Sequence, residues 1–142
     1  MKVAIGADHA GLELKPLIRD QLIRLGFQYL DAGAPEGTER VDYPLLAAEV
    51  AQLVQNKECG YGILICGTGI GMAMASNRFR SIRAVNCSNE IMARFARAHN
   101  DANILTLGQR LIGPDLALAI LEVFLTTPFE GGRHQGRLSL FN

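Results

Sequence analysis

The chain has little of what marks several classes of protein. It contains no tryptophan, and its three cysteines, Cys59, Cys66 and Cys87, form no C-x-x-C pair. That spacing argues against a zinc site and against a disulfide framework. Fourteen basic residues balance fourteen acidic ones, so no positive excess points to nucleic acid or to an anionic membrane. These absences favour a small ligand.

Long apolar runs are also missing. No run reaches the roughly 18 residues that a membrane-spanning helix needs. Met1-Lys2 leads directly into Val3-Ala4-Ile5-Gly6 without the apolar core of a signal peptide, which predicts a cytoplasmic protein. The 142 residues are expected to form one domain whose core needs neither a disulfide nor a metal.

Strand and helix patterns alternate along the chain. This alternation predicts a five-stranded parallel sheet with helices on both faces, because parallel crossovers cover both sides of a sheet. The predicted strands are Val3–Gly6, Gln28–Leu30, Gly62–Cys66, Ile82–Val85 and Ile104–Leu107. The predicted helices are Leu12–Leu25, Tyr43–Val54, Ile70–Asn77, Asn89–His99 and Asp115–Leu125.

A polar tail, about residues 128–142, follows Pro128. We expect its polar part, 130–137, to lie outside the core. The apolar residues at its end, Leu138, Leu140 and Phe141, need cover, and a second subunit could supply it.

Cys66 ends an apolar run and is followed at once by a glycine-rich turn, residues 67–71. The run 62–65 is typical of a strand buried on both faces, so the turn lies at the carboxyl edge of the sheet, where open α/β sheets bind ligands. The N–H groups of Gly67, Gly69 and Gly71, with a helix start behind them, can hold an anion or a developing oxyanion. The same setting favours the thiolate of Cys66.

Three other interpretations of this turn stay open. A lone cysteine at a strand end is commonly a small buried hydrophobe, and glycines after a strand can serve a tight turn alone. Nucleotide binding is disfavoured, because the spacing is G-x-G-x-G and Met72 stands where the dinucleotide motif needs its third glycine. Glu90, the nearest acid at a suitable distance, opens a later helix.

Three more polar clusters are candidates for the same site, each with a structural alternative. Asp8-His9 follows the first strand, but Asp8 could merely cap a helix while His9 faces solvent. His99-Asn100-Asp101 closes the fourth helix, where the dipole favours histidine for structural reasons alone. Arg133 and Arg137 would share one face of a helical tail and could hold a phosphate dianion, or could simply be solvated. Gly136, inside that segment, slightly favours the solvated tail.

Taken together, the chain resembles the type B ribose-5-phosphate isomerases of the ribose/galactose phosphate isomerase family. The motifs that carry the resemblance are Gly6-Ala7-Asp8-His9-Ala10-Gly11, Asp42-Tyr43-Pro44, Ile65-Cys66-Gly67-Thr68-Gly69-Ile70-Gly71, Ile82-Arg83-Ala84-Val85, His99-Asn100-Asp101-Ala102-Asn103 and Glu130-Gly131-Gly132-Arg133-His134. They span positions 6 to 137 in order. Gly136 departs from the bulkier residue expected there.

The resemblance implies a three-layer, Rossmann-like α/β/α sandwich and an aldose–ketose isomerase of the pentose phosphate pathway. Such an enzyme interconverts ribose 5-phosphate and ribulose 5-phosphate through a cis-enediolate, without a metal or a nucleotide cofactor. The implied catalytic residues are Cys66 as the base, Thr68 as a proton shuttle and His99 for ring opening. The implied substrate-binding residues are Asp8, His9, Tyr43, Gly67, Gly69, Gly71, Asn100, Arg110, Arg133 and Arg137.

The resemblance further implies a homodimer or homotetramer, with His99, Asn100 and Arg110 crossing to the partner's site. Two alternatives remain: an isomerase of a six-carbon sugar phosphate such as allose 6-phosphate or galactose 6-phosphate, and a sugar-phosphate binding module without turnover. Galactose-specific relatives are expected to lack the cysteine and His9. A binding module would not need Cys66, Thr68 and His99 together.

Overall fold

The computed structural model describes residues 1–33 and 40–141. Strands and helices alternate along these residues. Their bounds are β1 (Lys2–Ala7), α1 (Leu14–Arg24), β2 (Gln28–Asp31), α2 (Tyr43–Gln55), β3 (Tyr61–Cys66), α3 (Ile70–Ser76), β4 (Ala84–Asn86), α4 (Glu90–Ala98), β5 (Ile104–Gly108), α5 (Pro114–Thr126) and α6 (Arg133–Leu138).

The strands form one parallel sheet in the order β2-β1-β3-β5-β4. β3 lies between β1 and β5, with Ile63 paired to Ile5 on one side and to Leu105 on the other. The chain leaves β1 toward one edge and β3 toward the other, so the loops that follow these two strands diverge. A crevice between such loops is the usual ligand site of an open parallel sheet.

Helices cover both faces of the sheet and create two cores. On one face α1, α4 and α5 bury side chains such as Ile18, Ala93 and Phe124. On the other face α2 and α3 bury side chains such as Val50 and Met72. The predicted three-layer α/β/α sandwich with a five-stranded parallel sheet is confirmed, and the layers fix the positions of the loops at the carboxyl edge.

Helix boundaries follow the predicted signals. Pro44 and Pro114 stand in the first turns of α2 and α5, where a missing N–H does no harm. Gly26 follows α1 with φ +83°, a conformation that glycine adopts freely after a helix. Within residues 1–33 and 40–141, no helix combines the length and the apolar character needed to cross a bilayer.

The fourth strand was predicted too early in the chain. It runs over Ala84–Asn86 instead of Ile82–Val85, because turn contacts hold the two residues before it. The Ile82 N–H donates to the Phe79 carbonyl at 3.2 Å, and the Arg83 N–H donates to Asn103 Oδ1 at 2.8 Å. These donors are therefore unavailable to a strand ladder.

The prediction that residues 130–137 lie outside the core is confirmed except at His134, which is buried. Residues 133–138 form α6, whose His134 and Leu138 are buried. Leu138 thus finds its cover within the chain, whereas Leu140 and Phe141 remain exposed. Residue 142 lies outside the described residues. α6 forms despite Gly136, and it places Arg133 and Arg137 one turn apart, as predicted for a helical tail.

Candidate active site

A pocket of about 190 Å³ opens at the carboxyl edge of the sheet. It lies where the loops after β1 and β3 diverge, and the loop after β5 and the start of α2 complete its wall. Its lining residues are Asp8, His9, Ala10, Tyr43, Cys66, Gly67, Thr68, Gly71 and Arg110. Sequence reasoning had singled out all of these except Ala10.

The turn after β3 is built around the sulfur of Cys66. The Gly69 N–H donates to Cys66 Sγ at 3.0 Å. Gly69 has φ +78°, and a β-carbon there would collide with Asn86 Oδ1 and with the carbonyl carbon of Leu107. The position therefore requires glycine for its conformation and its packing.

The three predicted oxyanion donors are not equivalent. The Gly69 N–H is committed to the sulfur, and Gly69 does not line the pocket. Gly67 and Gly71 do line it. The geometry thus separates one glycine that positions the sulfur from two that can face a ligand.

Two residues that sequence reasoning missed hold this turn in place. The Asn86 side-chain amide donates to the Thr68 carbonyl at 3.2 Å. The buried Thr106 hydroxyl lies 2.8 Å from the Gly69 carbonyl and 3.2 Å from Asn86 Oδ1. Asn86 ends β4 and Thr106 lies in β5, so their cooperation depends on strand order. A polar residue inside an apolar strand was the one signal that could have indicated Thr106.

Asp8 and His9 extend from the end of β1. Asp8 is buried, and its Oδ1 accepts the Ala10 N–H at 2.9 Å. The residue that caps α1 is Glu13, so the alternative of Asp8 as a helix cap is wrong. His9 is exposed and still lines the pocket, which leaves its imidazole accessible to a ligand.

Tyr43 and Arg110 approach the glycines closely. A β-carbon at Gly71 would lie 2.7 Å from the Tyr43 ring, and one at Gly67 would lie 3.1 Å from Arg110 Nη1. The Arg110 N–H also donates to the Gly67 carbonyl at 3.0 Å. The resemblance had implied that Arg110 crosses to a partner, but Arg110 lines the Cys66 pocket of its own chain.

Besides Gly69, four predicted site residues do not line this pocket: His99, Asn100, Arg133 and Arg137. His99 ends α4, and Asn100 borders a different cavity, of about 510 Å³, together with Arg78 and Phe141. Arg133 and Arg137 lie on the exposed side of α6. The structure therefore divides the predicted residues into a Cys66 group and a His99 group.

The His99 group is centred on two stacked imidazoles. The His99 and His134 rings lie 4.3 Å apart at an angle of 12°, and Glu130 Oε2 lies 3.9 Å and 3.6 Å from their Nε2 atoms. Burial lowers the pKa of His134, as do nearby His99 and Arg133, while Glu130 opposes them. His134 is therefore a neutral ring near pH 7.

The same three side chains are the candidates for holding a metal ion within the described part of the chain, with ligand atoms within 4.8 Å of one another. A metal ion must lie in the plane of each imidazole that binds it. Two rings stacked nearly parallel direct their lone pairs side by side and do not converge on one point. The arrangement therefore suits ring packing better than metal binding.

Comparison with known proteins shows the family to which the chain belongs. The sequence profile of the Ribose/Galactose Isomerase family matches residues 3–141. The chain belongs to this family.

Relatives of the isomerase family match the chain along nearly its whole length. Ribose-5-phosphate isomerase B of Escherichia coli is 45% identical over 137 residues, covering 96% of this chain and 91% of that protein. The solved structure of Clostridium thermocellum ribose-5-phosphate isomerase B is 48% identical, with a TM-score of 0.94, covering 99% of this chain and 94% of the other. The structure of the type B enzyme of Trypanosoma brucei is 43% identical, with a TM-score of 0.92, covering 99% and 95%. The family predicted from the motifs is confirmed.

The other two cysteines of this isomerase-family chain lack the environment of Cys66. Burial is the main cause that raises the pKa of Cys59, with Glu58 adding to it and Lys2 opposing it. Burial raises the pKa of Cys87 to about 12. Both remain protonated thiols at neutral pH, as expected from their sequence positions.

Proposed function

We propose that this protein interconverts ribose 5-phosphate and ribulose 5-phosphate through a cis-enediolate, with Cys66 as the base. The observation that carries the proposal is the hydrogen bond from the Gly69 N–H to Cys66 Sγ in a pocket that also holds Thr68 and Asp8. Relatives that match nearly the full chain are named ribose-5-phosphate isomerase B, and these names support the same reaction.

The chemical step moves one proton between neighbouring carbons. The Cys66 thiolate removes the proton from C2 and returns it to C1, and Thr68 shuttles protons between O1 and O2. The enediolate carries negative charge beside the N–H groups of Gly67 and Gly71. A well-placed donor of this kind contributes about 3–4 kcal/mol to transition-state stabilisation.

Substrate binding and ring opening use the remaining residues. Ribose 5-phosphate is mostly a closed furanose, so a general acid–base group must open it first, a role we give to His99. Asp8 and Asn100 hydrogen-bond the sugar hydroxyls, and Tyr43 lines the sugar pocket. The phosphate is held by His9 and by three arginines, Arg110, Arg133 and Arg137, whose binding energy also orients the reacting carbons.

The division into two groups supports a site shared between subunits of a homodimer. At about 190 Å³, the Cys66 pocket is below the roughly 300 Å³ at which ligand pockets begin. Exposed apolar side chains on α3 and α4, including Met74, Ile91 and Met92, offer a surface for a second copy. A partner's His99, Asn100, Arg133 and Arg137 then complete the pocket, which gives the C-terminal tail its role in the site. The dimer can pair further into a tetramer.

Mixing two inactive variants tests the shared site. Cys66→Ala and His99→Asn are purified separately, unfolded together and refolded as a mixture. If the groups meet across the dimer, each mixed dimer regains one intact site, and the mixture recovers about a quarter of wild-type activity by random pairing. If both groups act within one chain, no intact site forms and the mixture stays inactive.

The reaction itself is tested in heavy water. The protein should exchange the C1 proton of ribulose 5-phosphate with solvent and should show higher kcat/KM for ribose 5-phosphate than for allose 6-phosphate or galactose 6-phosphate. A six-carbon preference would support the alternative isomerase, and binding without exchange would support a binding module. The cytoplasmic location stays a prediction from the sequence.

A further inference from the structure

We propose that Phe95 and His134 are positioning residues that hold the imidazole plane of His99 between two flat rings. The proposal rests on the proposed function, since it gives His99 the ring-opening role. It gives a role in this reaction to Phe95, which no motif contains, and to His134, which ends one of the motifs but had no role assigned. We refer to the three rings of Phe95, His99 and His134 as the ring stack.

The ring stack has His99 in its middle. The Phe95 ring lies 4.7 Å from the His99 ring at an angle of 33°. The His134 ring lies on His99 at 4.3 Å and 12°. Contact from both rings restricts rotation of the imidazole about its χ2 bond, a torsion that is otherwise broad.

Local chain geometry places the three rings together. Phe95 and His99 are four residues apart at the end of α4, where side chains lie one above the other, and the His99 N–H donates to the Phe95 carbonyl at 2.9 Å. The tail is joined to the same helix end, because the Glu130 N–H donates to the Ala98 carbonyl at 3.0 Å. His134 follows four residues later, in the first turn of α6, and its ring stacks on that of His99.

The environment of His134 suits a support ring better than an acid or a base. Its Nε2 is buried and has no hydrogen-bond partner among the described residues. A buried, neutral ring can lie flat on His99 without repelling it when His99 gains a proton. Glu130, whose Oε2 lies near the Nε2 atoms of both histidines, is 58% exposed.

The ring stack leaves one side of His99 available. The side chain of His99 is 34% exposed, although rings cover it on two sides. A fixed plane with an open edge is what proton transfer to a ring oxygen needs, because the donor must point along the oxygen lone pair. Loss of such orientation can lower a rate by as much as about 100-fold.

The test separates ring opening from the chemical step. Turnover of ribose 5-phosphate requires both ring opening and the chemical step. Exchange of the C1 proton of ribulose 5-phosphate requires only the chemical step, because phosphorylation of O5 prevents this ketose from closing a furanose. We expect His99→Asn to lower kcat for ribose 5-phosphate by about 10²–10⁴-fold and to change C1 exchange by less than about threefold.

Variants that remove the Phe95 or the His134 ring should also lower ribose 5-phosphate turnover without lowering C1 exchange, but to a smaller extent than His99→Asn. Phe95→Leu and His134→Asn should lower kcat for ribose 5-phosphate about 10- to 100-fold with KM and C1 exchange nearly unchanged. Phe95→Tyr and His134→Phe keep a flat ring and should restore kcat. Phe27→Leu is the matched control, because it removes a partly buried ring that packs on the core under α1 and α5, and it should lower only thermal stability.

A spectroscopic measurement tests the ring stack without reference to activity. The chain has three histidines, so their ring-proton NMR signals can be assigned by single substitutions. Ring currents should shift the His99 signals upfield in the wild type, and Phe95→Leu should move them back while Phe95→Tyr does not. Unshifted His99 signals, or equal loss of turnover and C1 exchange in Phe95→Leu and His134→Asn, would overturn the proposal. Unchanged turnover in His99→Asn would instead overturn the ring-opening role.

Discussion

Cys66 and Cys87 occupy similar places in the fold and differ in the hydrogen bonding of their sulfur atoms. Cys66 is the last residue of β3 and Cys87 directly follows β4, and each precedes a helix, α3 after Cys66 and α4 after Cys87. Before α3 the Gly69 N–H donates a hydrogen bond to Cys66 Sγ. Before α4 the side chain of Asn89 accepts the Met92 N–H at 2.9 Å, and within residues 1–33 and 40–141 no hydrogen bond reaches the Cys87 sulfur.

The difference shows that a position at a strand end does not by itself give a cysteine sulfur a hydrogen-bond donor. At α4 an ordinary side-chain cap satisfies the helix start, and burial raises the pKa of Cys87 to about 12. At α3 the residue before the helix has no side chain, so the turn closes on the sulfur. The glycine turn is thus the feature that distinguishes the candidate base from a packing residue.

Replacement of Cys66 and of Cys87 by alanine should give the largest difference in turnover between two variants. Cys66→Ala is expected to lower isomerisation by about 10²–10⁴-fold or more, while sugar-phosphate affinity stays within about tenfold, because a base acts on kcat more than on ground-state binding. Cys87→Ala should keep turnover within about twofold. Steady-state kinetics and equilibrium binding measure both. C2 exchange near the wild-type rate in Cys66→Ala would show that another residue is the base.

Alkylation should rank the thiols in the same order. Iodoacetamide is expected to modify Cys66 at least about tenfold faster than Cys87, because the thiolate is the reactive form. Ribose 5-phosphate should protect Cys66 alone. Peptide mass spectrometry at timed intervals gives the individual rates. Faster modification of Cys87 would remove the contrast between the two turns.

Substitution of the residue before each helix, Gly69 before α3 and Asn89 before α4, should separate an effect on turnover from an effect on stability. Gly69→Ala forces a side chain into φ +78° and should destabilise the protein by about 1–3 kcal/mol. It should also lower kcat, because its N–H moves away from the sulfur. Asn89→Ala should cost about 1 kcal/mol of stability with turnover nearly unchanged. Urea unfolding and kinetics on the same samples make the comparison, and equal kinetic effects would contradict it.

The smallest expected effect is a pH dependence of stability. Burial raises the pKa of Cys87 from 9.0 to about 12, so the folded protein keeps a proton that the unfolded chain loses first. This contribution to stability is fully present below pH 9 and is lost as pH rises toward 12. From pH 8 to 10 the wild type should lose about 1 kcal/mol more free energy of unfolding than Cys87→Ala. The same loss in both proteins would show that Cys87 titrates normally.

Much of the fold could be predicted because its signals are local. The apolar run 62–65, the prolines at helix starts and Gly26 after α1 act through neighbouring residues. The failures were non-local. The start of β4 depends on Asn103, which lies about twenty positions away. Leu138 is covered within the folded chain, a contact that no tail pattern shows.

For the candidate site, the sequence determined the residue types and the turn chemistry. Their positions after predicted strands put Asp8 and Cys66 among the candidates, because strand ends in a parallel sheet share one edge, and the family resemblance added Thr68 and Arg110. Tertiary structure decided which of them meet. Strand order brings Asn86 and Thr106 to the Cys66 turn, and the return of the tail to the end of α4 puts His134 on His99. These contacts join residues distant in sequence, so they exist only once the sheet and its helices have packed.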